Sequence, residues 1–137
     1  MIEFTIPGKP IPKASVRVGK HGGYYDKKSK TAAYMQAVAL HARRAMAGTP
    51  PMVGPVEVVI IVVRTVPVGW SGKKKAAAWR GEVLPVTKPD VDNYCKAILD
   101  GMSGVVYRDD NQVVKLRAEK KFGDKPEAYV RVTAIEP

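Results

Sequence analysis

The sequence predicts a single α+β domain, residues 1–137, in which a mixed β-sheet of about four strands packs with two main α-helices and carries basic loops. Three observations predict it. A chain of 137 residues buries one hydrophobic core but not two. Two segments repeat their apolar residues at helical spacing. Four short runs are rich in β-branched residues and bounded by Gly, Pro or Asp.

In chain order, Ile2 to Ile6 is a short strand stopped by Pro7-Gly8. Gly8 to Ser29 reads as a long basic loop, because Pro10, Pro12, Gly19, Gly22 and Gly23 break any regular period. Ser29 or Thr31 caps a helix running to about Ala47, with Tyr34, Val38, Ala42, Ala45 and Met46 on one face. Val56 to Val66 is interrupted only by Glu57 and Arg64, so it reads as a central strand covered on both faces. Ser71 to Arg80 forms a short helix with Ser71 as its cap, and Lys73, Lys74 and Lys75 crowd its first turn. That end of a helix prefers acids, so the three lysines suit an anionic partner. From Asp90 to about Gly101 the residues Val91, Tyr94, Cys95, Ile98, Leu99 and Met102 follow one helical stripe. Val113 to Phe122 and Glu127 to Ile135 read as an antiparallel hairpin turning at Gly123-Asp124-Lys125-Pro126.

Composition narrows the partners. The net charge is +10, and the excess sits in two segments. Residues 1–30 carry seven Lys or Arg against two acids, and residues 64–88 carry six against one. Lys and Arg displace counterions condensed on phosphates, which points to nucleic acid. An anionic membrane is disfavoured because neither segment pairs its charges with an apolar helical face. No window is apolar enough to span a bilayer, and the start has no secretory-signal pattern. One cysteine, Cys95, and two histidines make neither a disulfide nor a structural zinc site. The expected location is the cytoplasm.

Against this basic background an acidic knot stands out: Asp90 and Asp92 at the start of the second long helix, and Asp109-Asp110 in the loop after it. Lys96 is four residues after Asp92, so the two meet on the polar face. If the following strand folds back beside the helix start, three or four carboxylates converge. Clustered carboxylates repel and hold protons until a cation arrives, and magnesium takes hard oxygen ligands beside a phosphate. Each part also has a structural explanation. Asp before a helix is a common cap, an exposed Asp–Lys pair contributes about 0.3–0.5 kcal/mol, and Asp-Asp-Asn is ordinary turn chemistry.

The run Asp90-Val91-Asp92-Asn93-Tyr94-Cys95-Lys96, followed by Asp109-Asp110-Asn111-Gln112-Val113, resembles the signature of RusA-type Holliday junction resolvases. Pro7 to Lys13 and the Tyr25-to-Tyr34 stretch resemble phage and prophage members, while residues 67–88 are an insertion relative to shorter ones. The resemblance implies a homodimer in a bacterial host cell, of phage or prophage origin. It implies Mg²⁺-dependent (or Mn²⁺-dependent) endodeoxyribonuclease activity, nicking branched DNA in pairs at four-way junctions. It places the catalytic and metal-holding acids at Asp90, Asp92 and Asp110, and the catalytic lysine at Lys96, with Asp109 and Asn93 supporting them.

Candidate phosphate contacts are Lys9, Lys13, Arg17, Lys20, Lys27, Lys28, Lys73, Lys74, Lys75 and Lys88. Trp70, Trp79, Tyr24 and Tyr25 are candidates for stacking on unpaired bases, although packing is the commoner role. The alternative reading is a non-catalytic basic nucleic-acid-binding module, whose binding would not depend on metal.

Overall fold

The computed structural model describes residues 1–13, 17–19, 22–24 and 30–136. The elements in order are β1 (Ile2–Pro7), β2 (Arg17–Gly19), β3 (Gly22–Tyr24), α1 (Lys30–Met46), β4 (Val56–Arg64), α2 (Gly72–Trp79), α3 (Val91–Met102), a 3-10 turn (Asp110–Gln112), β5 (Val113–Phe122) and β6 (Glu127–Ala134). The expected α+β architecture is present: a four-stranded mixed sheet in the order β1-β6-β4-β5, with α1 and α3 packed on it. The segment expected to be an unbroken loop also contains β2 and β3, which pair with each other.

Alternation along the strands sorts their residues into two faces. Val58, Ile60 and Val62 of β4, Ala128, Val130 and Val132 of β6, and Ile6 of β1 are fully buried with Val38, Ala42 and Met46 of α1 and Ala97, Ile98 and Met102 of α3. The two helices cross closely where Gly101 meets Val38; a Cβ there would stand 2.8 Å from the Val38 Cβ. Ser71 caps α2 as expected, its hydroxyl accepting from the Lys74 N–H at 3.2 Å.

One expectation is overturned. β5 and β6 do not form a hairpin with each other; they flank β4, β5 in parallel and β6 in antiparallel register. β4 is the most apolar strand, so the centre of the sheet is where it removes most surface from water. The four residues after Phe122 carry the chain across its end, with the Gly123 N–H donating to the Arg64 carbonyl at 2.9 Å. Gly is required there because a side chain would run into Val63, 2.5 Å from a Cβ.

This topology fixes what lies near α3. The Lys120 ammonium near the C-terminal end of β5 donates to the carbonyls of Thr87 and Pro89, both at 3.0 Å, just before α3 begins. The helix then runs back along the sheet, and its last turn lies beside the start of β5.

Candidate active site

Asp90 occupies the N-cap position of α3, yet its carboxylate makes no capping hydrogen bond. The structural explanation available from sequence therefore does not account for it: Asp90 is exposed, and its oxygens are not spent on the helix terminus. Asp92, in the first turn, is also exposed, and its nearest cation is Lys96 at 3.9 Å across one helical turn. Screening by water makes this pair weak, so Asp92 and Lys96 stay available to other partners.

The loop before α3 is held from the sheet. Besides the two bonds from Lys120, Arg64 donates to the carbonyl and hydroxyl of Thr87, both at 3.3 Å. Two cations from β4 and β5 thus fix the segment Thr87–Lys88–Pro89, which sets the position of Asp90. Arg64 also lines a cleft of about 230 Å³ with Lys9, Pro10, Thr65, Tyr94 and Pro126.

Asp110 lies elsewhere. Within one chain it stands beside Asp109 and Asp100, not beside Asp90 and Asp92. The Asp109 side chain, hydrogen-bonded to it, holds the Asp110 carboxyl above the usual carboxylate range, and partial desolvation and the charge of Asp100 add to this. The expected convergence at the helix start fails because the 3-10 turn precedes β5, whose beginning lies at the far end of α3. Ten residues separate Asp90 from Asp100, about 15 Å along a helix axis. Among the described residues, no three acidic, His or Cys side chains are grouped so as to hold a metal ion.

Asp100 is the group that sequence reasoning missed. It follows Asp92 and Lys96 at successive four-residue steps, so all three share one helical face. That spacing was the available signal. Its carboxylate is paired with the ammonium of Lys13, and the Lys13 N–H donates to the Asn93 carbonyl at 3.0 Å. Lys13, one of the candidate phosphate contacts, thus also fastens the segment after β1 to α3.

The turn carrying Asp109 and Asp110 is rigidly seated. Asp109 accepts from the Asn111 N–H at 3.3 Å. Gln112 accepts from the Arg108 and Asp109 N–H groups, at 2.9 and 3.2 Å, and donates to the Met52 and Gly54 carbonyls at 2.9 Å. Asp109 is thus a capping residue that also touches Asp110.

Of the other candidate DNA contacts, Lys9, Lys73, Lys74 and Lys88 are exposed and Lys75 is half-buried. The Lys74 ammonium lies 3.9 Å from the centroid of the Trp70 ring, which in turn packs edge-on against Phe122 at 5.3 Å. Trp70 is therefore a packing residue, whereas Trp79 is half exposed. Lys20, Lys27, Lys28 and Tyr25 lie outside the described residues, as do the side chains of Arg17 and Tyr24. No helix among the described residues is long and apolar enough to cross a membrane.

Residues 7–133 match the family model of the endodeoxyribonuclease RusA. The chain is also 38% identical over 140 residues to the uncharacterized protein YqaN of Bacillus subtilis (strain 168), an alignment covering 98% of this chain and 96% of that protein.

Proposed function

Because the chain belongs to the RusA endodeoxyribonuclease family, we propose that it is a Mg²⁺-dependent endonuclease that resolves four-way DNA junctions by paired phosphodiester hydrolysis. The observation that carries this reading is the exposed carboxylate of Asp90, placed at a helix cap without capping it and six residues ahead of Lys96.

The donor set suits magnesium. That ion keeps several waters and takes only one or two protein carboxylates together with substrate phosphate, so a closed three-acid cage is not needed. Asp90 and Asp92 would hold it at the head of α3. Asp110 remains in the proposed set with Asp100 beside it, because a cation relieves the repulsion in that group. When bound, the ion would polarise the scissile phosphate and activate water. Lys96 supplies a mobile positive charge next to Asp92, suited to the charge that builds on a phosphoryl oxygen during cleavage. Asn93 and Asp109 support the acids through their own backbone and turn contacts. The exposed lysines Lys9, Lys73, Lys74 and Lys88 position the phosphate backbone without reading bases. A homodimer would bring two such sites to one junction.

The test is cleavage of a labelled synthetic four-way junction, beside a linear duplex of matched sequence, with Mg²⁺, with Mn²⁺ and with EDTA. Paired cuts in the junction alone, dependent on the metal, are expected. Metal-independent binding without cutting across several junction sequences would replace this reading with a non-catalytic DNA-binding module.

A further inference from the structure

The cleft of about 230 Å³ beside the head of α3 has a wall rich in donors. Lys9 reaches it from the segment after β1, Arg64 and Thr65 from the end of β4, and Tyr94 from α3, while Pro10 and Pro126 close its sides. No carboxylate is among the residues that line it. The segment bearing Lys9 is held in place because the Gly8 N–H donates to the Pro126 carbonyl at 3.1 Å. Both prolines have a fixed φ, so these walls are stiff before any ligand arrives.

Two groups in this cleft have hydrogen-bonding capacity that the fold does not use. Arg64 spends its Nη1 on the carbonyl and hydroxyl of Thr87, both at 3.3 Å. Its Nε and Nη2 donate to no described residue. Those two N–H groups form an edge of the guanidinium that grips two oxygens at once. Tyr94 is only 2% exposed, yet its hydroxyl bonds to no described residue. Burial pushes that hydroxyl's pKa up and the charge of Arg64 pulls against the rise, so the two groups stand near each other. A buried polar group without a partner is costly, and a ligand that brings acceptors removes the cost.

We propose that this cleft binds the phosphodiester next to the scissile one, with Arg64 as its main contact and Tyr94, Thr65 and Lys9 completing the set. The ligand must be negative and rich in acceptors, because two cations and two hydroxyls face it and no acid does. A phosphodiester is all acceptor. A nucleobase carries donors as well, and no amide or carboxylate side chain here receives them. Position selects which phosphate. Tyr94 stands four residues after Asp90, and its N–H donates to the Asp90 carbonyl at 3.4 Å. That is one helical turn, about 5.4 Å along the axis, comparable to the step between neighbouring phosphates of one strand. Arg64 therefore grips the strand with one edge and, through Thr87, the loop that carries Asp90 with the other. A phosphate seated in the cleft leaves its neighbour at Asp90, which sets the register of the cut. Arg64 is thus a positioning residue, and its role rests on the cleavage site proposed at the head of α3.

The experiment measures binding of a four-way junction carrying a single neutral methylphosphonate, moved one phosphate at a time along the strand through the crossover. Binding is read in EDTA and, with Asp92→Asn, in Mg²⁺, so the result does not depend on whether the chain cuts. At one position the methylphosphonate is expected to weaken wild-type binding at least fivefold. Arg64→Gln is expected to weaken binding of the unmodified junction by a similar factor. It is also expected to be indifferent, within twofold, to the methylphosphonate at that position while staying sensitive elsewhere. Tyr94→Phe is expected to weaken binding at least twofold at an unchanged melting temperature, because the lost hydroxyl holds nothing in the fold. If circular dichroism shows that Arg64→Gln disturbs the fold, Lys9→Gln takes its place in the same cycle. Cleavage by wild type is expected to fall directly beside the sensitive phosphate. An Arg64-dependent position on a junction that is never cut would support the phosphate site and contradict the nuclease reading alone. The inference is overturned if the junction is not bound, if no position loses its sensitivity in the variant, or if Tyr94→Phe binds as wild type does. It is equally overturned if an abasic nucleotide, rather than a methylphosphonate, erases the difference between variant and wild type, which assigns the cleft to a base.

Discussion

The ammonium of Lys120 donates a 3.0 Å hydrogen bond to the carbonyl of Pro89, the residue directly before Asp90. A cation on the helix-facing side of β5 thus sets where the first proposed catalytic carboxylate stands. Displacing a reacting group by about 1 Å costs on the order of a hundredfold in rate. Lys120→Met is expected to slow single-turnover junction cleavage at least tenfold while junction affinity stays within a few-fold. Lys120→Arg, which retains a donor, is expected to recover part of the rate. Equal losses of rate, affinity and thermal stability would show that Lys120 serves only the fold.

The turn that presents Asp110 depends on Gln112. Gln112→Ala removes the partners of the Arg108 and Asp109 N–H groups and of the Met52 and Gly54 carbonyls, and is expected to cost about 1–3 kcal/mol. Asp109→Ala, which removes a cap from Asn111, is expected to cost about 1 kcal/mol. Urea unfolding measures both, and Gln112→Ala is expected to be the more damaging.

At Gly101, α3 packs tightly against Val38 of α1. Gly101→Ala places a methyl group 2.8 Å from the Val38 Cβ, and is expected to destabilise the chain by about 1–3 kcal/mol through overpacking. Gly101→Ala combined with Val38→Ala is expected to cost less than the sum of the two single changes.

Burial pushes the Cys95 thiol up to about 11, with the charge of Asp92 adding. The folded chain therefore keeps the thiol neutral, and the stability linked to it is full below the unfolded thiol's value and lost as pH rises toward 11. At pH 8 its reaction with an aromatic disulfide reagent is expected to be at least a hundredfold slower than in the unfolded chain. Fast modification of native protein would show that α3 opens readily.

Much of this was legible in the residues themselves. The stripe from Val91 to Met102 gave α3 because its apolar residues repeat at the helical period, and Val58 to Val63 marked the central strand. Pairing was not legible: β5 and β6 are adjacent in sequence and joined by a turn-like segment, so nothing local reveals that β4 inserts between them. That one fact also decided the site, since the direction of β5 puts Asp110 beside Asp100 rather than Asp90. Lys120 left a trace, being a cation in the alternation Leu116-Ala118-Lys120 that faces the helices, but its partners are carbonyls of a distant loop. Main-chain acceptors carry no sequence signature.

The central claim is that the exposed carboxylates at the head of α3 perform metal-dependent cleavage of a four-way junction. Its most direct test is single-turnover cleavage of one labelled junction by wild type and by Asp92→Asn in Mg²⁺, with junction binding measured on the same samples. The account predicts that Asp92→Asn binds within a few-fold of wild type and cuts at least a hundredfold more slowly. A variant that cuts at the wild-type rate, or that loses binding and cutting in equal measure, would contradict it and return Asp92 to a structural role.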